Sequence, residues 1–143
     1  MTDAPITGGC LCGAVRFSAR FPIVRRRQCW CRDCQYLACG SASTNIIIER
    51  RSLAISGRLA EYRSLADSGN HMVRRFCPSC GTHVLAEAEE NPDYIVIRVG
   101  VLDDPSIGAP EALIWTASAP GWAKHDAALE AVPGQPPSPR PPA

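Results

Sequence analysis

Seven of the eight cysteines in this 143-residue chain stand in three tight clusters, and metal binding is the chemistry that such spacing suits best. Cys10 and Cys12 form a C-x-C pair closed by Gly13. Cys29, Cys31 and Cys34 form a C-x-C-x-x-C triplet. Cys77 and Cys80 form a C-x-x-C pair closed by Gly81, and Cys39 stands apart. Short repeats of this kind let two or three sulfurs reach one ion from a single turn. Four thiolates close a tetrahedral zinc site, and three leave a position open for chemistry.

Other uses of sulfur fit less well. Cysteine makes up about 6% of the chain, below the ~8–10% that marks a disulfide scaffold. A disulfide inside C-x-C would close a strained ring. A thioredoxin-like motif at Cys77-Pro78-Ser79-Cys80 would need a βαβ context that the pattern lacks. Inert buried thiols suit Cys39 better than seven clustered residues, and an iron–sulfur cluster is the other metal reading.

Two knuckles distant in sequence can share one ion if they meet in space. Gly13 and Gly81 each follow a cysteine pair, where the backbone must curl and glycine permits positive φ. Cys10, Cys12, Cys77 and Cys80 are therefore expected as one closed structural site. Cys29, Cys31 and Cys34 remain, one ligand short. Inside the chain Cys39, His71, His83, His125 and Asp33 could complete them. Cys39 reads more readily as a small thiol beside the site, the histidines as packing or surface residues, and Asp33 as pointing away. A zinc ion with three thiolates carries net negative charge and is a poor Lewis acid. It can still hold an incoming thiol as thiolate, which is the nucleophilic form. The sulfurs thus favour a thiol-using reaction over hydrolysis.

The elements that must position these residues read as mainly β, with coiled antiparallel sheets. Alternation predicts a strand over 15–19, a β-branched run over 45–49, and strands over 72–76, 82–87, 94–99 and 112–115. Residues 53–56 and 59–64 flank Gly57-Arg58 as a plausible hairpin. Helix signals are confined to one turn at 32–37 and a short piece at 124–130. The length suits one domain, residues 1–132. Residues 133–143 hold six of the thirteen prolines and a single charge, which predicts a disordered tail that joins no packed core. A net charge of +1 gives no electrostatic footprint for nucleic acid. No apolar run approaches a membrane span, and with no leader segment the expected location is the cytoplasm.

The sequence Gly9-Cys10-Leu11-Cys12-Gly13, then Cys29-Trp30-Cys31-Arg32-Asp33-Cys34-Gln35, then Phe76-Cys77-Pro78-Ser79-Cys80-Gly81-Thr82 resembles the glutathione-dependent formaldehyde-activating enzyme family, which includes centromere protein V. Gly100-Val101-Leu102-Asp103-Asp104-Pro105, Ile114-Trp115 and Trp122 extend the match over roughly residues 6–130. The resemblance implies an Mss4-like fold with zinc knuckles and the same division of ligands: structural zinc on Cys10, Cys12, Cys77 and Cys80, catalytic zinc on Cys29, Cys31 and Cys34. It also implies a carbon–sulfur lyase that adds glutathione to formaldehyde, giving S-hydroxymethylglutathione. Many members carry histidine where Trp30 stands, so a proton-transfer role is absent there and Trp30 is expected to wall the pocket.

Small-molecule thiol and aldehyde are the expected partners, with a homo-oligomer left open. Glutathione carries carboxylates, so cations near the triplet would serve it. Arg32 and Trp30 are the residues expected to bind it, with Arg25-Arg26-Arg27 just upstream; a solvated strand face is the plainer reading of that run. The alternatives to an enzyme are a zinc-stabilised module that carries glutathione or binds protein without turnover, and a redox sensor built on Cys31, Cys34 and Cys39.

Overall fold

A computed structural model describes residues 4–141. It is mainly β, with one α-helix and two sheets among those residues, and is consistent with an Mss4-like fold. Strands β1 (Ile6–Gly9), β2 (Arg16–Ala19) and β5 (Ala54–Ser56) form a small antiparallel sheet in the order β1-β2-β5. The large sheet has the order β11-β10-β3-β4-β9-β8-β7-β6. Its members are β3 (Arg25–Cys29), β4 (Ser43–Glu49), β6 (Ala60–Leu65), β7 (His71–Phe76), β8 (His83–Ala88), β9 (Tyr94–Arg98), β10 (Ala112–Ile114) and β11 (Glu130–Ala131). Helix α1 spans Arg32–Leu37.

Period two divides the large sheet into faces with different jobs. Ile46, Ile48, Ile95 and Ile97 are essentially inaccessible and pack with Val15, Phe17 and Val84 into the main core, which the small sheet covers. The intervening residues on β4 and β9 (Asn45, Ile47, Val96 and Arg98) face the other way and line a cavity. Pairing fixes this division: Asn45 lies opposite Arg27 on one side and Arg98 on the other, while Ile46 lies opposite Arg26 and Ile97.

Local contacts tie the sheets together. Gly8 bridges to Leu102 so closely that a Cβ on Gly8 would stand 2.1 Å from the Val101 carbonyl oxygen. Asp103, in the segment after β9, pairs with Arg16 at 2.5 Å and accepts from Thr7 Oγ1 at 2.8 Å.

Three expectations change. The stretches around Gly57 are not a hairpin: β5 pairs with β2 and β6 with β7, so the chain crosses between sheets at a positive-φ glycine. No helix forms at 124–130; Glu130–Ala131 is a short strand parallel to β10. The segment expected as a free tail lies along the large sheet as far as it is described. Trp115 N donates to the Gly134 carbonyl at 3.2 Å and Arg25 Nη1 to the Pro137 carbonyl at 2.8 Å, and Tyr94 Oη donates to the Arg140 carbonyl. Prolines lack N–H donors, but here the segment needs only its carbonyls as acceptors. Residues 142–143 of that expected tail lie outside the described residues.

Candidate functional site

The first cysteine site is assembled by two turns. After β1 the chain folds back through Gly13 (φ +82°), with Cys10 N donating to the Val15 carbonyl at 3.0 Å and Val15 N to Cys10 Sγ at 3.2 Å. Between β7 and β8 a register shift at Arg75/Phe76 ends the regular ladder, and Gly81 (φ +76°) closes the second turn. Thr82, which the cysteine pattern does not single out, links the turns. Its hydroxyl accepts from Leu11 N at 3.2 Å and lies 3.2 Å from Cys80 Sγ. That hydroxyl holds the Cys80 thiol down to about 5.

Cys10, Cys12, Cys77 and Cys80 have sulfurs within 4.8 Å of one another. Two separations test the fit to zinc. A tetrahedron with Zn–S bonds of about 2.3 Å places sulfurs about 3.8 Å apart. Cys10 Sγ and Cys12 Sγ are 3.6 Å apart, and Cys12 Sγ and Cys77 Sγ 3.8 Å. These distances suit one shared ion and are far beyond a disulfide bond, and all eight cysteines are unpaired.

The second cluster sits where β3 runs into α1. Cys29 ends the strand, and Cys31 caps the helix by accepting from Cys34 N at 3.3 Å. Cys34 is in the first turn, so three sulfurs converge within 4.8 Å. Cys39 does not join them: it is exposed on the loop after α1, with φ +57°. None of the histidines belongs to either group of sulfurs. The three sulfurs share protons unequally. Hydrogen bonding from Cys29 and Cys31, aided by Ser43 and the Arg98 charge, holds Cys34 down to about 2, while the same contacts push Cys29 far up.

These sulfurs line a cavity of about 120 Å³, below the ~300–1,000 Å³ of pockets that enclose a whole drug-sized ligand. It therefore suits the reacting end of a molecule whose remainder extends through the mouth. Its walls carry Arg27, Arg74 and Arg98. Arg98 is half-buried and donates from Nη1 to Asn45 Oδ1 at 2.7 Å. Burial pushes its guanidinium pKa down, opposed first by the Cys34 thiolate. Arg27 is shifted the same way by burial, opposed by Cys29. Among the described residues no carboxylate lies within ion-pair distance of either. Arg74 donates to Ser64 Oγ at 2.8 Å and reaches Asp33 Oδ2 at 3.4 Å, and its buried Nε has no partner. Asp33, expected to point away, lines this cavity without joining the sulfurs.

Arg32 and Trp30 are placed differently from the expectation. Neither lines the cavity. Arg32 donates to Gln35 Oε1 at 2.6 Å and stacks over the exposed Tyr36 ring. Gln35 in turn donates to the Trp30 carbonyl at 2.8 Å and the Ser118 carbonyl at 3.1 Å, so Arg32 braces α1 against the rest of the chain. Trp30 is buried against Trp122 and His125, at ring distances of 6.3 and 5.9 Å. Of the arginine run, only Arg27 reaches the cavity. Arg74, Arg98 and Asn45 were missed. Their one trace in the sequence is a polar residue at the cavity-facing positions of otherwise apolar strands.

Residues 5–118 match the model of the glutathione-dependent formaldehyde-activating enzyme family. The chain belongs to that family. No curated protein matches it. A crystal structure of a Rhodobacter sphaeroides protein is similar, with a TM-score of 0.57 and 21% identity over 73% of this chain and 96% of that one; at this identity the likeness concerns the fold. Family membership supports a function related to glutathione and formaldehyde, and the two cysteine groups could each hold zinc.

Proposed function

We propose that the chain is a zinc-dependent enzyme of the carbon–sulfur lyase type that joins glutathione to formaldehyde, with Cys29, Cys31 and Cys34 as the catalytic ligands. Cys10, Cys12, Cys77 and Cys80 are the structural ligands. The observation that carries the reading is a three-sulfur site, one ligand short of a closed tetrahedron, lining a cavity whose Arg27 and Arg98 have no carboxylate partner among the described residues and whose Arg74 reaches Asp33. A zinc ion bound there would keep a substrate thiol ionised at neutral pH.

The chain's own residues supply the rest. Arg27 and Arg98 offset the negative charge that gathers when a thiolate joins three others, and Asn45 fixes Arg98 in place. Arg74 and the open face of Arg27 are the groups that receive the substrate's carboxylate, a role the arginine fork suits. This moves glutathione binding away from Arg32 and Trp30. In the reaction the thiolate sulfur attacks the aldehyde carbon. A carbon–sulfur bond forms, the carbonyl electron pair moves to oxygen, and that oxygen takes up the proton the thiol gave up.

Metal analysis together with NMR of glutathione and formaldehyde tests this. About two zinc ions per chain and hemithioacetal formation faster than the uncatalysed background are expected. The same metal content with no acceleration would remove the enzyme and leave a glutathione-binding module.

A further inference from the structure

We propose that residues 133–141 form a strap that completes the wall of the thiolate cavity, and that seating of the strap is coupled to occupation of the cavity by a thiol. The family match covers residues 5–118, and this segment lies beyond it. Gln135, Ser138 and Pro139 line the same cavity as Cys29, Cys31 and Cys34.

The strap is held at points along its length. Trp115, itself a cavity residue, donates from its backbone N to Gly134 and from Nε1 to Gln135 Oε1 at 2.9 Å. Arg25 Nη1 holds the Pro137 carbonyl. The side-chain anchors at Gln135 and Pro137 are exposed, the character of contacts that open at low free energy. The prolines lower the entropy lost on seating, because their φ is already fixed.

A substrate whose reacting end sits against the sulfurs, and whose remainder passes through the mouth, meets the seated strap and not the lifted one. A ligand that contacts only one of two states must stabilise that state, and the effect is reciprocal: the seated strap raises the ligand's affinity by the same factor. This inference rests on the reading of the cavity as the thiol site.

The test uses the full-length zinc-loaded protein and glutathione. Arg25→Gln removes an anchor, and Pro137→Gly loosens the strap through chain entropy; neither residue lines the cavity. Each is expected to raise the glutathione Kd, measured by calorimetry, by about fivefold, with zinc content unchanged. The Trp115 indole N–H, assigned with Trp115→Phe, is expected to shift on glutathione addition and to exchange more slowly with solvent. Unchanged Kd in both variants, with an indole signal indifferent to glutathione, overturns the strap while leaving the thiol site standing. Failure of glutathione to bind the unaltered protein removes both.

Discussion

Arg98 donates to Asn45 at 2.7 Å from a half-buried position in β9, and Asn45 in turn faces Arg27 across β4 and β3. Two guanidinium groups therefore stand in one row on the sheet face that also carries Cys29. Replacing Arg98 with Met removes a charge that offsets the gathered thiolates and should raise the glutathione Kd about tenfold, a cost of about 1.4 kcal/mol. Zinc content should stay unchanged. Calorimetric titration of the metal-loaded variant checks this, and wild-type affinity would remove Arg98 from the site.

The two cysteine groups should fail differently. Cys77→Ser breaks the site that joins the first turn to the β7–β8 turn, so it should cost several kcal/mol in folding free energy and lower the thermal midpoint sharply. Cys31→Ser should lose one equivalent of metal and keep a cooperative transition. Thermal melts paired with metal analysis separate these outcomes. Equal destabilisation by both would mean that the second site also holds the fold.

Cys39 should be dispensable. It is exposed on the loop after α1 and outside the three-sulfur group. Cys39→Ser is expected to leave both zinc content and glutathione affinity as they are. A lost equivalent of metal would restore it as a fourth ligand.

A pH effect should come from the His71–Glu90 contact at the end of the β7–β8 pair. The imidazole lies 2.5 Å from Glu90, whose carboxylate also accepts from His71 N. Hydrogen bonding to Glu90, and its charge, raise the His71 pKa. The stabilisation is therefore fully present below the unfolded value of about 6.5 and is lost as pH rises through the higher folded value. The difference in urea midpoint between wild type and His71→Gln should shrink as pH rises above about 6.5. A difference that grows over that range would contradict the assignment.

The two sulfur groups were legible in the sequence because a tight spacing such as Cys77-x-x-Cys80 commits neighbouring side chains to one turn. The strong strands at 45–49 and 94–99 were legible because period-two alternation reports burial directly. The arginines around the sulfurs were not. Arg74 and Arg98 lie far from Cys34 in the chain and reach it only through strand order β3-β4-β9-β8-β7, which periodicity does not encode. Arg32 misled for the converse reason: nearness in sequence to Cys31 and Cys34 put it on α1, where its partner is Gln35. The proline-rich end misled because composition measures the cost of ordering a segment, not the acceptors that Arg25 and Trp115 can use.

The pairing of β4 has a further consequence. Asn45 faces the sulfurs and Ile46 the core, so both assignments depend on a single alignment with β3 and β9. Sliding β4 by one residue would drive an amide into the apolar interior and place isoleucine beside the guanidinium groups. An insertion or deletion in that strand would thus be rejected by folding before it could be tested by chemistry. Variation in the cavity wall is confined to exchanging side chains at alternate positions, and length changes are left to the loops.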